Sequence, residues 1–285
     1  MIMIDPDPNK VDLNGLIDMH IHTAPDVQPR ALDDIEAARQ AAEAGMRGVV
    51  YKAHATCSAD RASIAQKMVP AVCVFGGVVL NSAVGGINPA AVEAALSLGS
   101  RVVWMPTTSA RNHPHKSHGR DKGIYILGED GRLLPAVYEI LELLRHADAI
   151  LATGHLSVSE TVSLVREARM AGADKVVVTH PEVPWVNMSP DLQKDLRDEG
   201  AYFERCFASS LPEGGGVEFA RIVTDIHAVG VKSTVLATDF GAAVLPLPVV
   251  GMRSYVAGLL KAGFSERDIR AMAGETPSML LGLEG

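Results

Sequence analysis

Ser157-Val-Ser-Glu160-Thr-Val-Ser-Leu-Val-Arg-Glu-Ala-Arg-Met-Ala-Gly172-Ala-Asp-Lys175-Val-Val-Val-Thr-His180 holds one complete unit of the pattern that runs through this chain. Ser157 and Glu160 have the spacing of a capping box, in which serine and the N3 glutamate satisfy free backbone N–H groups at a helix start. They predict a helix over Val158–Ala171. Gly172 follows, where a helix end favours a left-handed residue. After a short link, Lys175–His180 reads as a buried strand of β-branched residues that ends on a polar one.

The order helix, glycine, short link, strand recurs at Gly45, Gly99, Gly200 and Gly230. Strands are predicted at Gly15–His22, Gly48–His54, Ala71–Leu80, Arg101–Met105, Ala149–His155, Lys175–His180, Ala201–Phe207 and Ser233–Asp239. Helices fill the gaps at Leu32–Ala44, Ala59–Met68, Pro89–Leu98, Leu134–His146, Val158–Ala171, Pro190–Glu199 and Val217–Val229, and Ser189–Pro190 supplies a helix cap followed by proline at the first helical position. Alternation of this kind predicts an α/β fold with a parallel sheet, and eight strands are the number that closes a (β/α)8 TIM barrel. The expected organisation is a single domain, with the barrel over about residues 15–250 and extra C-terminal helices over 251–285 packed outside it.

Composition narrows the function classes. A formal net charge of −8 argues against nucleic-acid or acidic-membrane partners. Cys57, Cys73 and Cys206 are odd in number and lack CxxC spacing, so no disulfide framework is implied. Met1–Lys10 lacks the pattern of a signal peptide, and no apolar run is long enough to span a bilayer. A cytoplasmic protein acting on a small molecule, with a homo-oligomer as one option, is the expectation.

The polar residues sit where barrels do chemistry. Strand one ends Asp18-Met-His20-Ile-His22, and residues two apart on a strand share a face, so both histidines can project into the barrel mouth. An exposed strand would make them merely solvated, but Leu16, Ile17, Met19 and Ile21 flank them. Thr153-Gly154-His155, Val178-Thr179-His180 and Ala237-Thr238-Asp239 close strands five, six and eight, on the C-terminal rim where barrel active sites are built. Imidazoles with a carboxylate suit Zn2+ and related divalent ions, which lower the pKa of bound water. Zinc is the first expectation, with Mn2+ or Fe2+ as alternatives and one or two ions.

The ordered set His20-x-His22, His155, His180 and Asp239 resembles the amidohydrolase superfamily, and Thr276-Pro-Ser-Met-Leu-Leu-Gly-Leu283 is similar to an ending common there. The resemblance covers nearly the whole chain. It implies that His20 and His22 bind metal with one or both of His155 and His180, and that Asp239 ligates the metal and activates water. The family's dinuclear members carry a bridging carboxylated lysine or glutamate, usually on strand three or four. Strand three here ends near Asn81 and strand four near Trp104-Met-Pro106, and neither supplies one.

Lys52 and His54 alternate on strand two as the histidines do on strand one. Three readings of Lys52 stand open: a carboxylated bridge between metals, a counter-ion for an anionic substrate, or the partner of a structural carboxylate. The loop from Thr107 to Gly123 carries Arg111, His113, His115, Lys116, His118, Arg120 and Lys122, a positive field that would attract a carboxylate or phosphate, or else a solvated loop. His54, Arg111 and His113 are the substrate-binding candidates. Glu204 is a weaker ligand candidate than a salt-bridge partner of Arg205 or a neighbour, and Cys57 reads as a small buried residue rather than a thiol nucleophile. Gly214-Gly-Gly216 is either a loop or a phosphate cradle.

The expected function is hydrolysis of a C–N or C–O bond (amide, cyclic amide, lactone or ester) by metal-activated water, with Asp239, His180 and Lys52 as catalytic candidates. The alternatives are a phosphoesterase, because Asp18–Thr23 also resembles the first motif of the PHP phosphoesterases, and a decarboxylase with a single metal ion.

Overall fold

The computed structural model describes residues 11–113 and 123–283. Eight strands, β1 (Ile17–Ile21), β2 (Gly48–Tyr51), β3 (Cys73–Val79), β4 (Val102–Trp104), β5 (Ile150–Ala152), β6 (Val176–Thr179), β7 (Tyr202–Cys206) and β8 (Thr234–Ala237), pair in sequence order, all parallel. Between them run α1 (Asp34–Glu43), α2 (Ala59–Met68), α3 (Pro89–Ser97), α4 (Pro135–Ala147), α5 (Val158–Ala171), α6 (Pro190–Asp198) and α7 (Phe219–Val229). This is the expected (β/α)8 barrel. Every predicted strand overshoots the ladder by one or more residues at its C-terminal end, where the chain turns out of the sheet into the rim loops.

Strand parity divides the core in two. Val49, Leu151, Val176, Val178 and Leu236 pack outward against helix residues such as Ala38, Ile140 and Leu164. Ile17, Met19, Val50, Val102, Trp104, Ile150, Val177 and Val235 fill the lumen instead. Burial of both strand faces is why the strands read as continuous apolar runs.

The capping box at Ser157 and Glu160 forms, and Ser189 accepts from the N–H of Leu192 ahead of Pro190. Gly45, Gly99, Gly172 and Gly200 follow helices at φ between 73° and 96°. Gly230 departs from that pattern: at φ 108°, ψ 149° it leads the chain away in an extended conformation rather than a left-handed turn.

The C-terminal helices correct an expectation. They are α8 (Pro248–Lys261), α9 (Glu266–Arg270), a π-helical turn at Ala271–Glu275, and α10 (Thr276–Leu281). The last of them does not lie outside the barrel. Leu280 and Leu281 join the lumen cluster, while Thr276 Oγ1 donates to the carbonyl of Lys232, just ahead of β8. The apolar tail therefore plugs the barrel end opposite the rim, covering lumen side chains that water would otherwise reach.

The β8–β1 seam carries no regular ladder, and Asp18 closes it. Its carboxylate accepts from Thr238 N (3.0 Å), Thr238 Oγ1 (2.6 Å) and His20 N (3.3 Å). Asp239 N donates to His20 O and His22 N donates to Phe240 O, both at 2.8 Å. Asp18→Ala strands both Thr238 donors in a dry seam. It is expected to lower stability by about 1–3 kcal/mol, read as a reduced urea midpoint; an unchanged midpoint would mean that the backbone bonds close the seam alone.

Candidate metal centre

Asp239 is the point on which the rim histidines converge. Its Oδ1 lies 2.9 Å from His20 Nε2 and 3.0 Å from His22 Nε2, and its Oδ2 lies 3.5 Å from His180 Nε2. The contact to His22 has hydrogen-bond geometry, whereas His20 Nε2 is buried with no hydrogen-bond partner among the described residues. Local backbone aims these groups. The β1–β2 register shifts between Asp18 and Ile21, so the lumen parity of Ile17 and Met19 passes to His20 and His22. His180 and Asp239 take left-handed backbone at φ 51° and 55°. Such conformations are sparsely populated by non-glycine residues, cost ~1–3 kcal/mol and cluster at functional sites.

The other face of His20 meets β7. Its Nδ1 lies 3.3 Å from Glu204 Oε2 and 3.6 Å from Cys206 Sγ, with all three residues buried. Glu204 does not pair with Arg205, because adjacent strand residues face opposite ways. Arg205 points outward to Glu182 and Gln193, with Asp225 at 3.9 Å. A carboxylate on Nδ1 fixes the tautomer that leaves Nε2 free for a cation.

Lys52 is fully buried beneath the rim, and among the described residues its Nζ has no hydrogen-bond partner; it lies 5.3 Å from the centre of the Trp104 ring. Asp239 and Glu204 lie close enough to act on its charge without a hydrogen bond to it among the described residues. His54 stacks on His22 at 4.8 Å, and its Nδ1 is 2.9 Å from Thr107 Oγ1. Asn81 Nδ2 donates to that same hydroxyl (2.9 Å) and to the carbonyl of His54 (3.0 Å).

His155 borders the Asp239 group, its ring centre 5.5 Å from that of His180, but its own hydrogen bond runs to another histidine. Its Nδ1 lies 2.9 Å from His113 Nδ1, the two rings stack, and Trp185 flanks both. Gly154 makes this possible: at φ 59°, a Cβ on it would sit 2.3 Å from Met105 O. Arg111 is exposed and lies over the Tyr125 ring at 4.5 Å. His115, Lys116, His118, Arg120 and Lys122 lie outside the described residues. Cys57 is half-buried against the core, and its sulfur lies 3.7 Å from Ser100 Oγ.

Electrostatics mark the cluster as a place for a cation. Burial pushes His22 and His180 down to about 4, against the pull of Asp239, so both imidazoles are neutral with lone pairs to donate. Burial also depresses Lys52, with Asp239 and Glu204 opposing. For His20, burial is outweighed by the charges of Asp239 and Glu204, and its pKa rises. Burial works against ionised Asp239, but the charge of His20 and the contacts from His20 and His22 hold it well below the usual carboxylate range.

Donor chemistry and spacing fit a divalent ion. One donor atom from each of His20, His180, Cys206 and Asp239 falls in a group whose members lie within 4.8 Å of one another. Two donors ~2.1 Å from one ion and at right angles to it are ~3.0 Å apart, the spacing found around Asp239 Oδ1. Cys206 has no motif spacing to single it out in the sequence, and the seam role of Asp18 shows there only as its place beside the HxH stretch.

Solved structures with the same fold include an amidohydrolase from Pseudomonas aeruginosa (14% identity, TM-score 0.61, covering 97% of this chain and 98% of that one). An organophosphorus hydrolase from Deinococcus radiodurans matches at 13% identity and TM-score 0.61, over 94% of this chain and 92% of its own. A 2-pyrone-4,6-dicarboxylic acid hydrolase from Pseudomonas putida matches at 15% identity and TM-score 0.57, over 96% of this chain and all of its own. These likenesses show the (β/α)8 barrel fold. No curated protein matches the chain. Among the described residues no helix is long and apolar enough to cross a membrane. A family model matches residues 15–204, from the start of the barrel through Glu204, and the chain belongs to that family, the family of unknown function DUF6282.

Proposed function

We propose that this chain is a metal-dependent hydrolase that cleaves a C–N or C–O bond in a small anionic substrate. The observation that carries the reading is the convergence of His20, His22 and His180 on Asp239 at the rim of the barrel. Structures of similar fold include a dipeptidase, a lactonase and a pyrone dicarboxylic acid hydrolase, which supports hydrolysis as the reaction class.

His20, His22, His180 and Asp239 would hold the ion. When bound, a divalent ion acidifies water and polarises the oxygen of the bond to be cleaved. The chain's own groups do the rest. Asp239, ionised and with its side chain 21% exposed, is the most open acid of the cluster and accepts a proton. Glu204 holds the His20 ring in place through Nδ1. Lys52, a buried amine with no hydrogen-bond partner among the described residues, offers charge to an anionic group, because burying an unpaired ammonium is costly until an anion meets it. Arg111 on the rim loop adds a second cation, and His54 and His113 border the mouth as substrate contacts.

The test is elemental analysis of the purified protein followed by a panel of esters, lactones, amides and phosphoesters. About one divalent ion per chain, with turnover of a carboxylate-bearing ester, lactone or amide, is expected. Metal-free protein, or turnover confined to phosphoesters, would overturn the reading.

A further inference from the structure

Cys206 has no place in the hydrolytic reading, yet β7 delivers it to the same point. It is fully buried at the top of the lumen layer, and its Sγ lies 3.6 Å from His20 Nδ1. It shares a strand face with Glu204, two residues earlier, which also reaches His20. A donor atom from each of Cys206, His20, His180 and Asp239 lies within 4.8 Å of the others. Among the described residues, His20 Nε2 is a buried polar atom without a hydrogen-bond partner.

We infer that Cys206 is a thiolate ligand of the ion proposed above, making the centre a mixed nitrogen, oxygen and sulfur site that selects zinc-like ions over Mn2+ or Mg2+. The inference rests on the metal reading and narrows it. Bonds of ~2.0–2.3 Å at tetrahedral angles set donors on one ion ~3.3–3.8 Å apart, so side-chain shifts of ~1 Å bring the four donors onto a single centre. Thiolate is a soft donor, and soft donors favour zinc over the hard ions that carboxylate and water suit. Coordination replaces the S–H bond with a sulfur–metal bond. One proton leaves for solvent, and no electron is transferred. A valine or alanine at this position would fill the lumen equally well; sulfur adds the donor.

The experiment uses the full chain, stripped with a chelator and reloaded with Co2+ as the probe. Sulfur bound to cobalt gives an intense charge-transfer band in the near ultraviolet, whereas nitrogen and oxygen ligands give only weak visible bands. The wild-type protein is expected to show both. Cys206→Ser should keep the visible bands, lose the ultraviolet band and bind zinc at least ~10-fold more weakly in competition with a chelator. Cys57→Ser and Cys73→Ser should keep the band, since those cysteines lie elsewhere. Visible bands without the ultraviolet band in the wild type, or a band that survives Cys206→Ser, would overturn the thiolate and leave the metal reading standing. No cobalt bound at all would overturn both. Should Cys206→Ser not fold, the wild-type spectrum with the other two variants still decides.

Discussion

Asp239→Asn should keep its metal and lose turnover by about 100- to 10,000-fold, the range over which a positioned general base contributes. The substitution preserves shape and one oxygen donor, so the contacts that His20, His22 and His180 make around that side chain need not collapse. What it removes is the proton acceptor. Burial alone would favour the neutral acid, but the charge of His20 and the hydrogen bond from His22 keep Asp239 ionised, with its oxygens set among the neutral imidazoles. Its left-handed backbone at φ 55° fixes the carboxylate there, and asparagine tolerates that conformation better than most residues, so the variant isolates chemistry from folding. The measurements are kcat on the best substrate of the panel and metal content of the same preparation. Near wild-type turnover with full metal would hand the base role to His180 or Lys52.

The barrel is legible in the sequence because the same order keeps returning: a helix, in five units a glycine after it, and a strand buried on both faces. The rim is legible as residues but less so as geometry. His20 and His22 do face the mouth, though not by simple alternation. A register shift in β1 hands the lumen parity from Met19 to His20, and alternation alone cannot foresee a bulge. His155 follows its strand as His180 does, yet Gly154 turns it toward His113, a residue 42 positions earlier. Glu204 invites pairing with its sequence neighbour Arg205, but strand geometry sends the two side chains to opposite faces. Cys206 and the plug formed by Leu280 and Leu281 depend on contacts between the chain's distant parts, for which no local pattern exists.

Removing both histidines of β1, as His20→Ala with His22→Ala, should empty the metal centre while the barrel stays folded. His20 is the most committed donor: its Nε2 has no hydrogen-bond partner among the described residues, and Glu204 occupies its Nδ1. His22 Nε2 meets the same oxygen of Asp239. Without these two, His180 and Cys206 are the remaining donors grouped with Asp239. Outer partners of metal ligands alone are worth about 10- to 100-fold in affinity, so loss of two direct donors should exceed ~100-fold and leave no ion after dialysis. Folding should survive, because the seam is held by Asp18 on Thr238 and by backbone bonds that alanine retains. Circular dichroism and the urea midpoint check that point. Metal content by elemental analysis is the deciding measurement, with Glu204→Gln expected to weaken binding by about 10- to 100-fold without abolishing it. One ion per chain retained by the double variant would sink the assignment. The ion would then have to sit elsewhere on the rim, with the His113–His155 pair, its two Nδ1 atoms 2.9 Å apart, as the next place to look.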